Sequence, residues 1–263
     1  MNNYIDINKE SWNNRLESHL KSDFYNLDAF INGKSSLNAI ELDLLGDIKG
    51  SNILHLQCHF GQDSISLSRL GAHVTGVDFS EKSIAKAHEL AKLTNSNAEF
   101  ICSNIYDLPN LLNKKYDILF TSYGTIAWLP DLDKWAEIVS HFMNDNAKFV
   151  FVEFHPVVWM FDDDIEKIIY PYLKSDAIVE DEVGTYADKK AEIQQKCVTW
   201  NHGVSEVINS LIDKGLQIQC LNEYDYSPYP FVNNSEEYEK GKFRIKQYQN
   251  KLPLVYSVVA IKK

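Results

Sequence analysis

Asp78 closes an apolar strand carrying Val74 and Val77, and a lone glycine, Gly61, stands 17 positions before it. Between them Ile65, Leu67 and Leu70 space an amphipathic helix, with Gly71 placed to cap its end. Ahead of Gly61, the apolar strand of Ile53, Leu54 and Leu56 leads into a turn filled by Gln57, Cys58, His59 and Phe60. Residues 53–80 thus predict a β-α-β unit whose second strand ends on an acid, the place from which a carboxylate holds ribose hydroxyls. Dinucleotide sites need several glycines here, so that the backbone can approach a pyrophosphate at a helix N-terminus. One glycine in a crowded turn suits a nucleoside without phosphates better.

Further strands extend the unit. Ala98 to Cys102 read as a third strand, followed by Asn104, Ile105 and Asp107; Tyr116 to Ser122 read as a fourth, ending on Thr121 and Ser122. Ala147 to Phe154 read as a fifth, with Glu153 and His155 at its carboxyl end. Ligands of open α/β sheets lie outside the carboxyl ends of the strands. Glu153 and His155 are therefore the first candidates for a base, since a positioned base contributes about a hundred- to ten-thousandfold in rate. His202, before a late helix over residues 204–212, ranks behind them.

These residues resemble the class I S-adenosylmethionine (SAM)-dependent methyltransferases, and a bacterial subgroup whose first motif reads HLQCHFG, as residues 55–61 do. The wider class usually has an acid at His55 and glycines at Gln57 and His59. The resemblance implies a doubly wound, Rossmann-like α/β fold with a seven-stranded sheet. That sheet is mostly parallel with one antiparallel strand, and helices cover both faces. The late strands, about 216–224 and 254–261, would close it. The resemblance further implies SAM as cofactor and S-adenosylhomocysteine (SAH) as product. Gln57, His59, Gly61, Asp78, Phe79, Asn104, Ile105, Thr121 and Tyr25 would bind the cofactor. Asn104 stands where an aspartate typically receives the adenine amine, with Asp107 as a nearby alternative. Trp128, Trp159, Tyr186 and His202 would face a small-molecule acceptor.

One domain is expected over 1–263: a helical lid over 1–45, a cofactor core over 46–154, a substrate-side insertion over 155–202, and a closing segment over 203–263 with a cap loop at 227–253. The additions are rich in aromatic residues, as small-molecule pockets usually are. Trp12, Arg15 and Tyr25 would let the lid meet the sulfonium or the methionine carboxylate.

A formal net charge of −11 argues against a nucleic-acid partner. The longest apolar stretch, residues 149–161, is too short to span a bilayer and is broken by Glu153, His155 and Pro156. No apolar leader opens the chain, and four unpaired cysteines fit a cytoplasmic setting. No spacing indicates a metal site, and Asp162-Asp163-Asp164 reads as an acidic helix start before Ile165, Ile168 and Ile169. Two other classes stay open: a SAM-binding protein without catalysis and, less favoured by the turn, a dinucleotide-dependent oxidoreductase.

Overall fold

In the computed structural model, which describes residues 3–263, seven strands form one sheet. They are β1 (Asn52–Leu56), β2 (His73–Asp78), β3 (Glu99–Cys102), β4 (Tyr116–Ser122), β5 (Met143–Phe154), β8 (Leu216–Tyr224) and β11 (Val255–Lys262). Their order is β3-β2-β1-β4-β5-β11-β8. Strands β1 to β5 pair in parallel, whereas β11 runs antiparallel to both β5 and β8. The expected sheet, with its single antiparallel strand, is the observed one.

The central strands read as near-continuous hydrophobic runs because both of their faces are covered. On one face α6 (Leu132–Phe142) and α7 (Val204–Asp213) bury Trp135, Phe142, Val207 and Leu211 against Phe149, Phe151 and Tyr256. On the other, α3 (Ala39–Leu45), α4 (Gln62–Arg69) and α5 (Glu81–Leu93) bury Ile40, Ile65, Leu67, Ile84 and Leu90 against Ile53, Phe120 and Val150. Each of these large apolar side chains contributes about 1.5–3 kcal/mol by leaving water.

Three additions surround that core. The N-terminal segment forms α1 (Tyr4–Lys21) and α2 (Leu27–Ile31) ahead of α3. Residues 1 and 2 of the expected lid lie outside the described residues. The insertion holds an antiparallel ribbon, β6 (Ile178–Val183) with β7 (Gln194–Thr199). The late segment is more than a loop, since β9 (Ser235–Glu239) and β10 (Lys242–Ile245) pair as a hairpin.

The helix expected after Asp162 does not form. Asp162 Oδ1 accepts from the amides of Glu166 and Lys167, an alternative to the helical ladder that short acidic side chains offer. Ile165 then takes φ 57° and is buried with Val158, Ile245 and Leu254. Burial of that isoleucine outweighs local helix preference.

Candidate active site

The carboxyl ends of β1, β2, β3 and β4 open on one edge of the sheet, and their loops line a cavity of about 1080 Å³. The crowded turn after β1 explains the residues that replace glycine. Gln57 and His59 take φ 56° and 52°, and Gly61 takes 83°. The backbone path is one that favours glycine, adopted here at a cost of roughly 1–2 kcal/mol per residue. At Gly61 a Cβ would sit 2.6 Å from the Phe100 ring, so packing demands that glycine.

Asp78, at the tip of β2, accepts from the His59 amide and from the Ser80 amide, each at 2.9 Å. Burial pushes its pKa up to about 6, and the amides of Ser80, His59 and Phe79 oppose the shift. The Gln57 amide nitrogen donates to the Thr125 carbonyl at 2.8 Å, which fixes the amide's orientation. Its Oε1 is left buried without a protein donor.

Asn104 Oδ1 accepts from the Tyr106 amide at 3.1 Å, capping a short 3-10 turn. Its amide nitrogen thus remains the freer group. Phe79, Ile105, Gly61, Trp128, Trp159, Tyr186 and Tyr25 line the same cavity. Asp107 does not, and neither does Thr121, whose hydroxyl is buried inside β4 without a partner.

The three expected bases are also outside it. Glu153 is buried under β5, with its carboxylate accepting from the backbone of Gly124, Thr125, Ile126 and Phe154. Burial raises its pKa against those amides. It holds the loop after β4 in place and offers no free oxygen to the cavity. His155 is engaged elsewhere: Nε2 meets Glu223 Oε1 at 2.9 Å, and Nδ1 accepts from the Val157 amide at 3.2 Å. His202 lies between Glu206 Oε2 at 3.0 Å and the Leu129 carbonyl at 2.8 Å.

The N-terminal helix roofs the cavity. Trp12 packs edge-on to His59 and Trp128, with ring centroids 5.1 and 5.3 Å away. Arg15 is 3% exposed; its guanidinium lies over Trp12 and Trp128 and pairs with Glu182 of β6 at 2.6 Å. His19 Nδ1 stands 3.4 Å from His59 Nε2. Burial, with Arg15 nearby, pulls the His19 pKa down to about 3 and holds His59 well below the usual imidazole range, so both rings stay neutral. The Tyr25 hydroxyl meets that of Tyr186 across the gap between lid and insertion.

Sequence reasoning passed over His19 in the roof and Asp63 on the wall, while Tyr123 was expected in a polar loop beside the site and Tyr229 among the pocket aromatics. Asp63 carried the one available signal, a charged residue in the first turn of the helix after Gly61. Among the described residues no group of three or more histidines, cysteines and carboxylates is placed to hold a metal ion.

This geometry has relatives. A family model described as a methyltransferase domain matches residues 47–244. The chain belongs to the methyltransferase-domain family. It is 23% identical over 213 residues to the uncharacterised methyltransferase YbaJ of Bacillus subtilis (strain 168), covering 78% of this chain and 75% of that protein. Among solved structures, a putative SAM-dependent methyltransferase from Listeria monocytogenes superposes with TM-score 0.58 at 19% identity, over 85% of this chain and 97% of its own. The DhpI–SAH complex does so with TM-score 0.58 at 16% identity, over 99% and 97%. At these identities the structural likeness concerns the class I fold, which the methyltransferase-domain chain shares.

Proposed function

We propose that this methyltransferase-domain protein transfers a methyl group from SAM to a small molecule, and that its first motif places it in the HLQCHFG subgroup. The observation that carries the reading is Asp78, a carboxylate at the β2 tip facing a roofed cavity. The cavity fits the nucleoside. Asp78 is placed for ribose hydroxyls, and the orphaned Gln57 oxygen and the Asn104 amide supply a spare acceptor and a spare donor on the wall. Bound there, SAM supplies an electrophilic methyl on a sulfonium.

The chain's own part is to bind, orient and exclude water. Of the residues lining the cavity, Gln57, His59, Gly61, Phe79, Asn104, Ile105 and Tyr25 would hold the cofactor, and Trp128, Trp159 and Tyr186 the acceptor. Orientation alone is worth about 7–11 kcal/mol in well-aligned cases. Glu153 acts as a positioning residue, through the 124–126 loop it holds. No helix among the described residues is long and apolar enough to cross a membrane.

The deciding experiment is calorimetric titration of cofactor-stripped protein with SAM, SAH and NAD. Binding of both sulfur nucleosides and not of NAD supports the reading. Binding of NAD alone would revive the oxidoreductase, and tight SAM binding without turnover of any acceptor would leave a binding protein.

A further inference from the structure

Asp63 opens α4 and lines the cavity. One of its oxygens accepts from the Ser122 hydroxyl at 3.1 Å, and among the described residues no donor reaches the other. Its acidic neighbour Glu41 differs: Asn38 occupies one oxygen and the Tyr123 hydroxyl the other. Asp63 therefore keeps one carboxylate oxygen unspent on the cavity wall.

Three phenols share its cavity wall. Tyr25, Tyr123 and Tyr229 all line the cavity, and Tyr123 and Tyr229 meet edge-on with centroids 5.3 Å apart. Burial and the nearby Asp63 charge raise the pKa of each, so all three stay protonated and neutral. Aromatic faces around a carboxylate attract cations and give anions nothing. The wall as a whole is net acidic: carboxylates on it outnumber Lys and Arg seven to three, and Arg15 is already paired with Glu182.

We propose that Asp63 anchors a ligand ammonium group, and that the cavity is built for a cationic amine. The inference rests on the methyltransferase reading and narrows it. An ammonium satisfies the open carboxylate oxygen with a charge-assisted hydrogen bond, whereas a carboxylate or phosphate ligand would be repelled. Two molecules could bring that group, the methyl acceptor or the amino-acid end of the cofactor.

The test titrates the SAH-loaded wild type and Asp63→Asn with 2-phenylethylamine and 2-phenylethanol, which differ only in the polar group. Both proteins are also titrated with SAH and with 5′-methylthioadenosine, the same thioether lacking the amino-acid tail. An acceptor amine predicts about a tenfold preference for 2-phenylethylamine, lost in Asp63→Asn while SAH affinity is kept. A cofactor ammonium predicts that Asp63→Asn weakens SAH about tenfold and leaves methylthioadenosine unchanged. Equal binding of amine and alcohol by the wild type, with SAH unaffected by the substitution, overturns the anchor. Failure of the wild type to bind SAH at all would overturn the methyltransferase reading itself.

Discussion

Asn8 of α1 grips both backbone groups of Val198 in β7: its Nδ2 donates to the carbonyl at 2.7 Å, and its Oδ1 accepts from the amide at 2.8 Å. Ser11 meets Cys197, Arg15 pairs with Glu182, and Tyr25 meets Tyr186. Lid and insertion are thus joined as one cover. Asn8→Ala leaves a buried amide and carbonyl without partners, at a cost of about 2–3 kcal/mol. Hydrogen exchange should show α1 and the β6–β7 ribbon losing protection together, with β1, β4 and β5 unchanged. Loss confined to α1 would mean that the two parts open separately.

Glu153→Gln should act through the loop it holds. The amide's NH2 end cannot accept from the backbone, so some of the N–H groups of Gly124, Thr125, Ile126 and Phe154 are left unpaired. A loss of about 3 kcal/mol is expected in urea unfolding, with SAH affinity reduced only a few-fold. His155→Ala should leave turnover of any acceptor nearly intact, because its ring faces Glu223 and not the cavity. A drop of about a hundredfold or more in kcat at His155 would restore the base.

The sheet and the acid at the tip of β2 were legible because apolar runs and the Gly61–Asp78 spacing are local signals. The bases were misplaced for a geometric reason. Side chains alternate faces along a strand, so Glu153 lies on the side of β5 opposite to Phe154, and His155 comes just past the strand's end. It is Phe154 that lines the cavity. A lid was expected, but its docking on the insertion was illegible because the buried stripe of α1 is Asn8, Ser11, Arg15, Leu16 and His19, mostly polar. Docking through hydrogen bonds leaves no hydrophobic period to read. The ribbon was missed because β6, Ile-Val-Glu-Asp-Glu-Val, is largely charged.

Asp78 makes cofactor affinity depend on pH. Only its ionised form accepts two hydroxyls, and its pKa without ligand is about 6. SAH affinity should be flat above that pH and fall by up to about tenfold per unit below it. Asp78→Asn should remove the dependence and lower affinity about a hundredfold. Stability moves the other way. The folded state keeps this proton to about 6, while the unfolded carboxyl releases it near 3.8. Ionisation thus destabilises the ligand-free protein between those values, and the urea midpoint of the ligand-free protein should carry a contribution that falls as pH rises from about 4 to 6. An unchanged pH profile of SAH binding would remove Asp78 from the ribose role.

His19 contributes with the opposite sign to Asp78. Its imidazole pKa falls from 6.5 to about 3 on folding. Below about pH 6.5 the unfolded chain therefore takes a proton that the folded chain refuses, and stability declines as pH falls toward 3. The slope approaches roughly 1.4 kcal/mol per unit. His19→Gln should flatten the decline measured by urea unfolding between pH 7 and 4.5. Parallel curves for the two proteins would show His19 to be solvated.

Gln57→Gly and His59→Gly separate what the turn's backbone does from what its side chains do. Each relieves a positive φ, worth roughly 1 kcal/mol. Gln57→Gly also loses a hydrogen bond of about the same value to Thr125, so its stability should stay near that of the wild type. His59→Gly removes the ring against which Trp12, His19 and Tyr25 pack at centroid distances of 5.1, 5.1 and 5.5 Å. The sheet should therefore keep its thermal stability while the cover loses its seat. Proteolysis within α1 should accelerate and SAH should dissociate faster, with the association rate little changed. If His59→Gly released SAH at the wild-type rate, the imidazole would be filling space beside the turn, and the cover would be held by its contacts with the insertion, those of Asn8, Ser11, Arg15 and Tyr25.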